Sequence, residues 1–371
     1  MKKYTKTGAV LLSLALLTGL AACSQQQTRS ADAAQETAAA ASPAVTAEGG
    51  AAGAGDLFTD RDLNQTPDRS DAQTVTVSDG DAVTITEAGV YVLSGSAENA
   101  QIVVEADDEA KVQLVLDGLT VTNEDAPVIY VKNADKVFVT TAGENTLAVT
   151  GSFTADGDTN TDAVIFSKDD LVLNGTGTLT ISSADNGVSC KDDLKVTGGT
   201  LVIDCASHGL EANDRALIAG GDITLTAKEG IEATYVLVAG GTMRIAATDD
   251  GINATQNTTD YAVCIEITGG DISITMAQGD TDALDSNGAI LVSGGTVDIT
   301  AQFAFDFDTT AQHTGGTITV NGETVDEITE SMMMGGGMGG FGGPGQQGGM
   351  PGGGPGGGQG GPGGGMPGRS A

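Results

Sequence analysis

The sequence predicts an all-β chain folded as a right-handed parallel β-helix of roughly twelve turns. Three observations carry that expectation. Gly-Gly pairs recur at 198–199, 220–221, 240–241, 269–270, 294–295 and 315–316, spaced 22, 20, 29, 25 and 21 residues apart. Each pair is followed by Thr or Asp and an alternating strand: "TLVI", "DITL", "TMRI", "DISI", "TVDI" and "TITV". No repeat holds a run with helical periodicity, and Gly, Thr, Val, Ile, Asp and Ala dominate, a strand-and-turn composition. A unit of about 21 residues with only short strands cannot bury its apolar face alone, but it can when stacked on a copy of itself. Three short strands per turn, each pairing with its counterpart about 4.8 Å away, give a parallel coil. An antiparallel sandwich also shows evenly spaced strands, but it does not require turn residues to recur in register.

The elements follow in chain order. Residues 1–22 read as a leader: "MKKYTK" is basic, "AVLLSLALL" is apolar, and "LAAC" follows. "LAAC" at this place resembles the bacterial lipobox, which implies cleavage before Cys23 and lipidation of its thiol. The chain is then expected to sit at the cell surface, anchored by lipid outside the cytoplasmic membrane. No other stretch is apolar for the ~18 residues that a spanning helix needs. Residues 23–72 are rich in Ala, Gln, Glu, Gly, Ser and Thr and read as a disordered linker. Residues 73–326 are the coil. "NGTGTLTI" (174–181) is a degenerate copy of the repeat, and strand-like segments such as "VQLVLDGLTVTN" continue it upstream. Residues 327–371 end in "GGPGQQGGMPGGGPGGG", which cannot bury enough surface to offset its ordering entropy and reads as a disordered tail. Cys190, Cys205 and Cys264 are odd in number, lack metal spacing, and read as small core residues.

Charge narrows the function. Sixteen basic against 50 acidic residues give −34, which excludes electrostatically driven nucleic-acid binding and favours cations. Upstream of the Gly-Gly pairs, "HGLEA" (208–212), "EGIEA" (229–233), "DGINA" (250–254) and "DALDS" (282–286) fall into one column. "NGVSC" precedes them and "FAFDF" follows. Alternation sends Leu210, Ile231, Ile252, Leu284 and Phe305 inward. It sends Ser189, Glu211, Glu232, Asn253, Asp285 and Asp306 outward. His208, Glu229, Asp250 and Asp282 stand at the turn, flanked by Asp249 and Asp280. Two outward acidic columns result. Like charges at ~5 Å repel by roughly 1 kcal/mol at water's dielectric and more at a protein surface. A ladder of carboxylates with one amide suits calcium, which takes six to eight oxygens in irregular geometry. The expected ligands are Glu211, Glu229, Glu232, Asp249, Asp250, Asn253, Asp280, Asp282, Asp285 and Asp306. "DGDTN" (156–160) resembles a calcium loop in miniature, although the full helix-loop-helix calcium pattern is not completed.

The lipobox, the tether, the "DGI[EN]A…GGT" turns and the Gly/Met/Pro tail together resemble bacterial cell-surface carbohydrate-binding domain-containing proteins. The resemblance covers about residues 75–325. It implies a β-helix similar to pectate lyases in fold, calcium at the outward acids, and an acidic or plant cell-wall polysaccharide as partner. Catalytic residues are not expected, and the chain is expected to act as a monomer. Two alternatives stand beside this reading. A polysaccharide lyase needs a Lys or Arg base near the metal. Lys191, Arg215, Lys228 and Arg244 are the candidates, and each reads as a single, unrepeated strand residue. A structural or adhesive surface protein would use calcium only to stiffen the coil.

Overall fold

The computed structural model describes residues 57–279 and 281–330. The leader, Cys23, most of the expected linker, Asp280 and the Gly-rich stretch from 331 onward lie outside the described residues.

One repeat shows how the sequence builds a turn. Glu229–Ala233, Tyr235–Val238 and Thr242–Ala247 are three strands. Each pairs in parallel with its equivalent in the next turn: Asp250–Ala254, Cys264–Ile267 and Asp271–Met276. The first strands of all turns form a ten-stranded ladder. The second and third strands form two ladders that merge into one sheet, because strands such as Arg215–Ala227 run through the corner between them. The parallel β-helix expected from the repeats is therefore the fold. It has ten turns in its first ladder, fewer than the twelve expected.

The Gly-Gly pair sits at the corner between the second and third strands, and its two members are needed for different reasons. Gly241 has φ of +88°, a backbone that a side chain resists. A Cβ on Gly240 would lie 2.6 Å from the carbonyl oxygen of Ala219 in the turn before. The positive-φ position recurs once per turn, from Gly95 to Gly316. Upstream turns keep it with a single glycine, such as Gly118 or Gly143, so the pair pattern marks only the later half of the coil.

Inward columns fill the coil. Leu210, Ile231, Ile252 and Leu284 are fully buried, and Phe305 continues them. Cys190, Ala212, Ala233, Ala254 and Ser286 are the small inward residues two places on, also buried. All three described cysteines are buried free thiols, and burial raises their pKa. Glu323–Val325 folds back antiparallel on Thr317–Val320 and covers the open edge of the third ladder. Ile328 is buried on the same core, so the ordered chain runs past 326.

The N-terminal boundary also moves. Residues 57–72, expected as linker, form a strap across the outer face of the second ladder. Phe58 packs on Leu217 and Leu237. Arg61 lies 4.4 Å over the Phe138 ring. Asp62 is fully buried, with Lys195 at 3.2 Å and Lys136 at 3.6 Å. Gln65 accepts from the Gly175 amide and donates to the Thr197 carbonyl. A buried carboxylate is tolerable only with such partners. Composition misled here because two residues, Phe58 and Asp62, hold down an otherwise bland segment.

Candidate functional site

The outer face of the first ladder carries the predicted acids, and pairing fixes its order. One outward column runs Tyr130, Phe166, Ser189, Glu211, Glu232, Asn253, Asp285, Asp306, one residue per turn. A second column stands at the first residue of each strand rather than at the expected turn, and includes His208 paired with Glu229 and Asp250 paired with Asp282. The inward and outward assignments made from alternation hold. One backbone face thus changes from aromatic, through a serine, to acidic.

The acidic part divides again. In its upper turns the chain supplies its own cations. Lys191 lies 3.2 Å from Glu211, which also accepts from Asn186. His208 Nε2 lies 3.5 Å from Glu229 and 3.4 Å from Glu232. Lys228 lies 3.2 Å from Glu229 and 2.6 Å from Asp249. Asn253 donates to Glu229 and Asn257 to Glu232. Burial alone would raise the Glu229 carboxyl, but the His208 and Asn253 contacts outweigh it and hold the group low. Burial and the Glu229 charge instead raise Glu232. Burial works against the His208 imidazolium, yet the surrounding glutamates raise its pKa.

In the lower turns that compensation stops. Among the described residues no Lys, Arg or His forms an ion pair with Asp250, Asp285 or Asp306. Burial, and then the neighbouring Asp285, push Asp250 up to about 7. Burial, and then Asp306 and Asp282, push Asp285 up to about 6. Asp250 also accepts from the Asp282 amide at 3.3 Å. The lower turns present a run of carboxylates in register, without a basic partner for Asp250, Asp285 or Asp306 among the described residues, whose charge a divalent cation would neutralise. Carboxyl oxygens of Glu229, Asp249 and Asp250 lie within 4.8 Å of one another and join the two halves.

The structure thus brings Glu229, Asp249 and Asp250 together, and it groups Asn253, Asp282, Asp285 and Asp306 on adjacent rungs. Glu211 is set apart by its own lysine. Asp280 lies outside the described residues. The "DGDTN" loop does not converge on one point: Asp156 is taken by Lys132 at 2.7 Å and by the Tyr130 hydroxyl. The four basic candidates for a lyase are each ion-paired: Lys191 and Lys228 as above, Arg215 with Asp193, and Arg244 with Asp222.

Sequence reasoning missed the opposite end of these strands. Lys168 and Lys191 open two "KDD" repeats at 168–170 and 191–193, so the basic residues do recur. Asp192, Asp193 and Asp214 group there within 4.8 Å, with Arg215 on Asp193 at 2.9 Å. The signal is the second "KDD", which the glycine spacing does not mark.

Comparison with known proteins gives three findings. A family model described as carbohydrate-binding domain-containing protein matches residues 79–321. A carbohydrate-binding domain-containing protein of Acetivibrio thermocellus is 37% identical over 122 residues, which is 32% of this chain and 43% of the relative. The match therefore spans less than half the length of that relative. A solved structure, a polysaccharide lyase-like protein from C. thermocellum as its gadolinium derivative, is 27% identical and covers 67% of this chain and 96% of its own. Its TM-score is 0.49, and no argument rests on that likeness.

Proposed function

The chain belongs to the carbohydrate-binding domain-containing protein family, and from that premise we propose that it is a calcium-dependent binder of acidic polysaccharide, held at the cell surface by a lipid on Cys23. Family membership supports carbohydrate as the partner. The observation that carries the calcium dependence is the pair Asp250 and Asp285. Both are half-buried, both face other carboxylates, and neither has a basic partner among the described residues. A hard divalent cation supplies what is missing there. Asp250, Asn253, Asp282, Asp285 and Asp306 would hold such cations along three successive rungs, with Asp249 and Glu229 at the edge of the run. No Cys or His enters the lower cluster, which fits calcium better than zinc or copper. An acidic glycan would be repelled by a chain of net charge −34, and a bound cation reverses the local sign.

Ion pairing of every candidate base favours binding over catalysis. The Lys228 ammonium is stabilised first by its bond to Asp249, which keeps it protonated and unfit to take a proton. Arg215 is held the same way by Asp193.

The test is titration of the full chain with polygalacturonate, with calcium and then with a chelator. Chelation is expected to weaken binding about tenfold or more, as loss of a charge-bridging contact would. Equal affinity in both conditions would overturn the calcium-bridged reading. Release of unsaturated, ultraviolet-absorbing products would overturn the non-catalytic one.

A further inference from the structure

The upper end of the same outer face carries positive charge on an aromatic base. Val131 pairs with Ser167, and Ser167 with Cys190. The residues that follow these positions are Lys132, Lys168 and Lys191, so three lysines stack on three consecutive turns, about 4.8 Å per step. Beneath them Tyr130 and Phe166 meet edge to face at 5.7 Å and are almost fully buried. Lys132 Nζ lies 4.9 Å and Lys168 Nζ 6.0 Å from the Tyr130 ring centre, and Lys191 Nζ lies 5.5 Å from that of Phe166. The rings hold the stems in place, which reduces the entropy lost when a ligand engages the ammonium groups.

The column is only partly neutralised. Lys132 is paired with Asp156 and Lys191 with Glu211. Lys168, in the middle, is exposed, and among the described residues it forms no ion pair. Ser189, next after Phe166 in the outward column, is 0% exposed and closes the floor between the aromatic pair and the acidic rungs. Three ammonium groups in line along the coil axis match a linear polymer that bears a carboxylate on each unit.

We propose that the Lys132–Lys168–Lys191 column binds the carboxylates of an acidic glycan directly, without a bridging metal. The inference rests on the acidic-glycan reading above and adds a second, metal-free subsite to it. One chain laid along the face would then meet lysines at the upper turns and cation-loaded aspartates at the lower ones. Lysine–carboxylate contacts of this kind are screened by salt.

The test uses the full chain in chelator, with polygalacturonate as the probe and neutral xylan and dextran sulfate as comparisons. Wild type is expected to keep weak binding to polygalacturonate that falls steeply with added salt. Lys168→Gln, which breaks no ion pair among the described residues, should lower that residual affinity by about tenfold. Lys132→Gln/Lys168→Gln/Lys191→Gln should abolish it, while the binding gained on adding calcium persists. Thermal melting of each variant confirms that the coil is intact. Binding by wild type in calcium but not in chelator would overturn the lysine subsite and leave the calcium reading standing. No binding in either condition would overturn both. Residual binding unchanged in Lys168→Gln, or equal retention of dextran sulfate or xylan, would overturn the carboxylate assignment.

Discussion

Glu229 and Asp250 occupy neighbouring turns of one coil, about 4.8 Å apart, and differ in what stands beside them. Glu229 is more deeply buried, yet His208, Lys228 and Asn253 keep its carboxyl ionised. Asp250 faces Asp285 and Asp249, and its carboxyl is driven up to about 7. The backbone does not distinguish them. Burial alone does not set the charge state of a rung. The charge on the next side chain does, and among the described residues of this face that charge stands beside the upper rungs.

The largest expected effect follows from filling the lower turns. At calcium concentrations a hundredfold above Kd, mass action adds about 2.7 kcal/mol, or roughly 5–10 °C in Tm for a domain of this size. Asp250→Asn combined with Asp285→Asn should remove that gain, and Glu211→Gln should keep it. Calorimetry with and without calcium decides. A Tm indifferent to calcium in wild type would end the contrast between the halves.

A second experiment makes the upper half behave like the lower one. His208→Ala withdraws the group lying between Glu229 and Glu232, at a cost of about 1–3 kcal/mol. In urea titration the midpoint should fall. Part of the loss should return on adding calcium, because the upper carboxylates would then need a cation as well. A loss that calcium leaves untouched would show that the upper and lower turns differ in more than their partners.

The converse substitution gives the lower half its own cation. Asn253→Lys should stabilise the calcium-free chain by up to about 1 kcal/mol, the range of a solvent-screened ion pair. It should also weaken calcium binding, read by isothermal titration. Unchanged calcium affinity would remove Asn253 from the site.

The remaining effect is the pH slope of the calcium-free chain. In the unfolded chain an aspartate titrates near 3.9. Asp250 and Asp285 hold their protons in the fold up to about 7 and about 6. Between those limits the folded state binds more protons than the unfolded one, so stability falls as pH rises from about 4 to about 7. The raised His208 adds to the same slope, since its ion pairs are lost as it deprotonates. With calcium bound, the aspartates are already ionised and the slope should flatten. Urea midpoints at pH 5 and 7.5 in chelator test the sign, and a higher midpoint at pH 7.5 would contradict it.

The acidic rungs were legible in the sequence because a side chain's face follows from the period of two and from register alone. Glu211, Glu232, Asn253 and Asp285 were placed correctly for that reason. The split between the halves was not legible. It depends on Lys228 and His208 reaching sideways to Glu229, and spacing does not encode reach. The turn count was overestimated because turns carrying loops, such as the one between Ala254 and Cys264, consume more residues than the repeat suggests. The lysine column escaped because Lys132 lies in a turn whose wording differs from the later ones. The strap escaped because its contacts, Asp62 with Lys136 and Lys195, join residues far apart in the chain.

That strap also sets how the molecule would carry a load. Its contacts run from Leu237 back to Asp117, counter to the direction in which the coil is wound. Tension applied upstream of Leu57 therefore does not reach the first turn first. It meets Phe58 and the Asp62 clamp in mid-coil before it reaches any strand of the coil.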